Sequence, residues 1–148
     1  MTKVRCFGAG DPLYEAYHDE EWGRPVADSP DERELFERVC LEGFQAGLSW
    51  ITVLRKRDAF RAAFAGFDPA AIAEFGDDDV ARLMADAGIV RNRLKIEAAI
   101  TNAQALLALH EAGERLADLV VAHTPVARER PPLSFADVPA QTPESQAL

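Results

Sequence analysis

Cysteine is scarce in this chain of 148 residues. Cys6 and Cys40 are its only two, too few for a disulfide scaffold. Reduced thiols in a cytoplasmic protein are therefore expected. Long apolar runs are missing as well. None approaches the roughly 20 residues that a membrane-spanning helix needs, so no membrane association is expected. The opening "MTKVRCFGAG" has no apolar segment of the kind a secretory signal carries. Strand signals are nearly absent, because the short β-branched runs sit inside helical patterns. Internal repeats and low-complexity segments are absent too. Positive charge is in deficit: 16 basic against 25 acidic side chains give a net charge of −9. That balance argues against indiscriminate nucleic-acid binding.

What remains is an apolar, helical chain. Nearly half of it, 48%, is hydrophobic, enough for a single all-α domain spanning 1–148 with its own core. "DPLYEAYHDEEWG" opens on an Asp-Pro cap and places Tyr14, Tyr17 and His18 on one helical face. In "SPDERELFERVCLEGFQAG", Ser29, Pro30 and Glu32 predict a capped helix start. Leu35, Phe36, Val39, Cys40 and Gly43 form its buried stripe, and Gly47 ends it. One helix is predicted from about Ser49 to Phe64, with Trp50, Val53, Leu54, Phe60 and Phe64 inward. Asp68-Pro69 caps a short helix through Phe75. Asp77–Asp79 suit a helix N-terminus. The glycine turn "DAGIV" then leads into a long helix from about Arg91 to Ala112, with Leu94, Ile96, Ala99, Ile100, Ala103, Leu106 and Leu107 as its apolar positions. Gly113 ends it. "ERLADLVVAH" predicts one more helix. Near the end, Thr142, Pro143 and Glu144 read as the start of another, after which the chain stops. It therefore reads as truncated.

Four constellations stand out. Glu42 lies on the flank of an apolar stripe, either as an edge carboxylate with its head in water or as one lining a cleft. Tyr14, Tyr17, Trp22 and Trp50 are all the Tyr and Trp of the chain, either core filler or a stacking surface for a flat base. Cys6 and His18 are two zinc-type donors where a structural site takes four. "LMADAGIVRNR" is either a plain helical hairpin or a turn whose amides meet a DNA phosphate, with Arg91 and Arg93 adding charge. The basic clusters "RKRDAFR" and "RNRLK" are solvated helix faces or phosphate contacts.

All four occur together in one family. "DPLYEAYHDEEWG", "ELFERVCLEGFQAGLSWITVLRKR", "FDP", "LMADAGIVRNRLKI" and "AITNAQA" resemble the bacterial 3-methyladenine DNA glycosylase I family of helix-hairpin-helix glycosylases. The resemblance runs from about Cys6 to Ala105, with a weaker match beyond. It implies an all-α helix-hairpin-helix glycosylase fold and hydrolysis of the N-glycosidic bond that holds 3-methyladenine in alkylated double-stranded DNA, by a monomer. It implies that Glu42 hydrogen-bonds the methylated base and acts electrostatically in catalysis, that Trp50 stacks on that base, and that Tyr17 binds it, with Tyr14 and Trp22 as further pocket wall. Gly88, Arg91 and Arg93 fall in the hairpin that grips the DNA backbone. Cys6 and His18 match two of four ligands of a structural zinc.

The sequence departs from the family in two places. The other two zinc ligands lie near the end of a longer chain, so half the metal site and the closing helices are missing here. After Cys6 the segment "CFGAGD" is shortened, with Phe7 as its only aromatic. The alternative reading is a catalytically impaired helix-hairpin-helix DNA-binding module. A third is a helical interaction domain with no nucleic-acid role, against which the combination of Glu42, Trp50 and Tyr17 stands.

Overall fold

The computed structural model describes residues 3–24 and 30–148. Among these residues every regular element is a helix. They are α1 (Pro12–Glu20), α2 (Glu32–Gln45), α3 (Trp50–Arg55), α4 (Arg57–Ala63), α5 (Pro69–Ala73), α6 (Asp77–Ala85), α7 (Arg93–Glu111), α8 (Leu116–Ala122) and α9 (Pro143–Ala147). Two compact units form. One is the continuous stretch Ser29–Asp118; the other joins Met1–Asp28 with Leu119–Leu148.

In the continuous unit α7 is the central helix, packed against α2, α5 and α6. Ile96, Ala99, Ile100, Ala103 and Leu106 supply its buried stripe, at the three- and four-residue spacing of one helical face. Small Ala99 and Ala103 let neighbouring helices approach closely. They share one core cluster with Phe36, Cys40, Leu41 and Phe44 of α2 and with Phe60, Phe64 and Phe67. The phenylalanines pack among themselves: Phe44 lies 4.6 Å from Phe60 with the rings tilted, and Phe64 stacks on Phe67 at 5.7 Å between ring centres. Such contacts add about 0.5–1.5 kcal/mol each beyond simple burial.

The caps follow local chemistry. Asp11, Asp31, Asp68, Asn92 and Thr142 each accept a backbone N–H with the side chain at a helix start. Between α4 and α5, Ala65, Gly66 and Phe67 all take positive φ, at 50°, 62° and 58°. The strain of this left-handed turn, about 1–2 kcal/mol for each residue bearing a Cβ, is offset by complete burial of Phe67. Arg33 secures the turn by donating to the Gly66 and Ala65 carbonyls at 2.7 and 3.2 Å.

Several sequence expectations need correction. The helix expected over Ser49–Phe64 is broken at Lys56, which sits at φ −97° and ψ 0° between α3 and α4. Leu94 is 77% exposed, since it lies about 200° around α7 from Ile96. Val39 and Gly43 are exposed too, because Leu41 and Phe44 draw the buried stripe of α2 to the other side. Asp31, rather than a Ser29–Glu32 capping box, caps α2, and Ser29 lies outside the described residues.

Glu32 is instead a tie. Its carboxylate accepts from His110 Nε2 at 2.7 Å and from the Leu116 and Ala117 amides at 3.0 and 2.6 Å. It thereby pins the start of α8 to the start of α2. Desolvation pushes the Glu32 pKa up, but the hydrogen bonds from His110, Ala117 and Leu116 outweigh it and hold the pKa below the usual range.

Candidate active site

Glu42 lies in the last turn and a half of α2, and Trp50 is the first residue of α3. The link between them is short. Ala46 ends α2, Gly47 takes φ +79°, and Ser49 precedes Trp50 in extended backbone. Leu48 donates back to the Gln45 carbonyl at 2.7 Å, which tightens the turn. Trp50 is half-buried and packs on the core, so its indole is held from beneath.

Glu42 differs from the other carboxylates near it. It is exposed, and among the described residues it makes no hydrogen bond or ion pair. Glu37, one turn earlier, is paired with Arg61 at 2.6 Å. Desolvation by the surrounding protein nevertheless raises the Glu42 pKa above its ordinary 4.5. A carboxylate partly stripped of water and given no partner is poised for a cationic or N–H-rich ligand.

The hairpin between α6 and α7 belongs to the same unit. Asp86 shapes it, its carboxylate accepting from the Gly88 amide at 2.8 Å. Ile89 is buried and anchors the turn to the core. Gly88 is needed for closeness, since a Cβ there would stand 3.0 Å from the Ala59 Cβ. Its amide is turned inward to Asp86, so the donors available to an anion come next along the chain. Among the described residues neither the Val90 nor the Arg91 amide donates a hydrogen bond. Arg91 is exposed and has no ion-pair partner among the described residues, while Arg93 faces Glu97 at 3.5 Å. Two residues of the basic clusters are engaged internally: Lys56 donates to the Ala87 carbonyl and Lys95 to the carbonyls of Phe44 and Ala46. The sequence pattern did not separate these two from free surface cations.

The remaining candidates lie in the other unit. Phe7 is the hub of an aromatic cluster, 4.9 Å from Tyr14, 6.3 Å from Tyr17 and 5.0 Å from Trp22 between ring centres. Tyr14 and Tyr17 are 6.3 Å apart. Burial pushes the Tyr14 hydroxyl up, so this phenol stays protonated at neutral pH. In the sequence Phe7 stands out only as a departure from the family pattern, and its place directly after Cys6 is the available signal.

Cys6 and His18 do meet. The Cys6 Sγ stands 3.2 Å from His18 Nε2, close to the roughly 3.5 Å that two donors on one tetrahedral zinc would show. His18 Nδ1 lies 3.0 Å from the Asp19 carboxylate, which places the ring proton on Nδ1 and makes Nε2 the acceptor, where it takes the Cys6 backbone N–H at 3.4 Å. The pair fits two positions of a zinc site. No group of three or more metal-type donors forms among the described residues, so the pair alone does not complete one.

Comparison with known proteins places the fold. The model of the methyladenine glycosylase family matches residues 7–148. The chain belongs to the methyladenine glycosylase family. It is 51% identical over 141 residues to DNA-3-methyladenine glycosylase 1 of Escherichia coli, covering 93% of this chain and 73% of that protein. It is 45% identical over 149 residues to DNA-3-methyladenine glycosylase of Haemophilus influenzae, covering 98% and 78%. A crystal structure of 3-methyladenine DNA glycosylase I superposes with a TM-score of 0.87 at 49% identity, over 97% of this chain and 78% of that one. The methyladenine glycosylase fold thus accounts for the all-helical architecture. No helix among the described residues is long and apolar enough to cross a membrane.

Proposed function

We propose that this methyladenine glycosylase removes 3-methyladenine from alkylated double-stranded DNA by hydrolysing the bond between base and deoxyribose. Family membership supports the reaction class. The unpaired, partly desolvated Glu42 carboxylate beside the turn to Trp50 is the observation that carries the reading.

The chemistry suits those groups. Methylation at N3 leaves adenine cationic and already a good leaving group. No strong acid is needed to protonate it. The base leaves the helix stack to be reached. Glu42 then serves as hydrogen-bond acceptor and counter-charge, favouring the cationic base over neutral adenine and stabilising charge as the bond breaks. Trp50 supplies a stacking face, and Tyr17, Tyr14 and Trp22 supply further aromatic wall. The Val90 and Arg91 amides and the first turn of α7, with the Arg91 and Arg93 side chains, hold the backbone phosphates. Gly88 serves them by letting the hairpin sit close to α4.

Cys6 and His18 would supply two of the four donors that a structural zinc takes. Elemental analysis of the purified chain checks this half site: no stoichiometric zinc is expected from the pair alone, and one zinc per chain, lost on His18→Ala, would mean that another residue or chain completes the site. A monomer in the cytoplasm completes the reading.

The deciding experiment is release of bases from methylated duplex DNA. The native chain is expected to release 3-methyladenine, and Glu42→Ala to abolish that release while still binding duplex. Duplex binding by the native chain without base release would overturn the enzymatic reading in favour of a DNA-binding module.

A further inference from the structure

We propose that Lys95 is a positioning residue that couples the DNA-gripping hairpin to the base-reading turn between Glu42 and Trp50. By sequence Lys95 belongs to the basic cluster after the hairpin, where a phosphate contact would be the natural assignment. The geometry sends its charge elsewhere. The Lys95 ammonium donates to the Phe44 carbonyl at 2.9 Å and to the Ala46 carbonyl. These are carbonyls of the last turn of α2 and its C-cap, groups that the helix itself leaves without partners. They also carry the negative end of the helix dipole. One cation therefore caps the helix that bears Glu42, at the point where the chain turns toward Trp50.

The same residue is rooted in the hairpin. Its backbone amide donates to Asn92 Oδ1 at 3.1 Å, the cap that starts α7. A continuous path thus runs from the hairpin through Asn92 and Lys95 to Phe44 and Ala46. On the hairpin's other side, Lys56 donates to the Ala87 carbonyl at 3.3 Å, and Lys56 directly follows α3, the helix that begins at Trp50. The segment holding Glu42 and Trp50 is tied to the hairpin at both ends. Phosphates held by the hairpin and a base held by Glu42 and Trp50 then share one rigid frame, and small misplacements of reacting groups are costly in rate.

The inference rests on the base-release reading above. The test uses the full chain with Lys95→Met and Lys95→Gln. The probes are free 3-methyladenine, followed by tryptophan fluorescence, an undamaged duplex, and single-turnover release from methylated duplex. Lys95→Met is expected to bind undamaged duplex within about twofold of the native chain while losing at least about tenfold in base affinity and in release rate. Lys95→Gln keeps a donor and most of the stem, and is expected to show the same split, at about threefold or more. It decides the matter if Lys95→Met does not fold. Wild-type base affinity and release in the folded variants overturn the role of Lys95. So does a loss of duplex binding with base affinity intact, which would make Lys95 a phosphate contact. Absence of release by the native chain overturns the base-release reading itself, and the role with it.

Discussion

Glu42 carries opposite consequences for activity and for stability. Its raised pKa means that the folded chain holds the Glu42 proton more tightly than the unfolded chain does. The ionised form therefore works against folding. That penalty is absent below the ordinary value of 4.5 and grows as pH rises through the folded-state pKa. Glu42→Gln is expected to melt above the native chain at neutral pH, with the gain vanishing near about pH 4, and to release no 3-methyladenine. Thermal melts at the two pH values check the first part. Two glycines give a second contrast. Gly43 lies inside α2 with open space where a Cβ would go, so Gly43→Ala should stabilise by about 0.5–1 kcal/mol. Gly66 takes φ +62°, and a Cβ there would meet Arg33 at 2.6 Å. Gly66→Ala should destabilise by about 1–2 kcal/mol. Urea unfolding of both variants reads the difference in sign.

Elements are joined here by single polar residues as well as by apolar faces. Glu32 holds the first amides of α8 and the end of α7 through His110. Glu32→Ala should cost about 1–3 kcal/mol and speed hydrogen exchange at Leu116 and Ala117 before it does so in the stripe of α7. The pH dependence runs opposite to that of Glu42. The Glu32 pKa is lowered, so its contribution is present above the ordinary 4.5 and is lost as pH falls through the folded-state value. Such ties were not visible in the sequence. Periodicity reports which face of a helix is buried, and it placed Ile96, Ala99, Ile100 and Ala103 correctly. It carries no information on a carboxylate that reaches more than eighty residues along the chain to Ala117, or on a lysine that turns inward to cap another helix. Leu94 and Lys56 went astray for the same reason, since position along a helix was read without its neighbours.

At the scale of the molecule, a net charge of −9 leaves few cations for a polyanion. Among the described residues Arg91 is unpaired, whereas Arg93 shares its charge with Glu97. Arg91→Ala should lower the slope of log K against log salt by about 0.9, and Arg93→Ala by less. Duplex titrations at several salt concentrations measure both. The fold class, the hairpin, and the candidacy of Glu42 and Trp50 were all legible in the sequence, because each rests on local patterning or on the quoted motifs. The division into two units was not, for it depends on which distant segments pair. That division bears on biosynthesis. Ser29–Asp118 is uninterrupted and contains Glu42, Trp50, the hairpin and Lys95, whereas the other unit needs residues from both sides of it. As the chain leaves the ribosome, the continuous unit can close on its own contacts while the first segment waits for residues after Asp118. The long loop that must be closed to complete the second unit is then already compact, so its entropic cost has been met by the time the two segments meet.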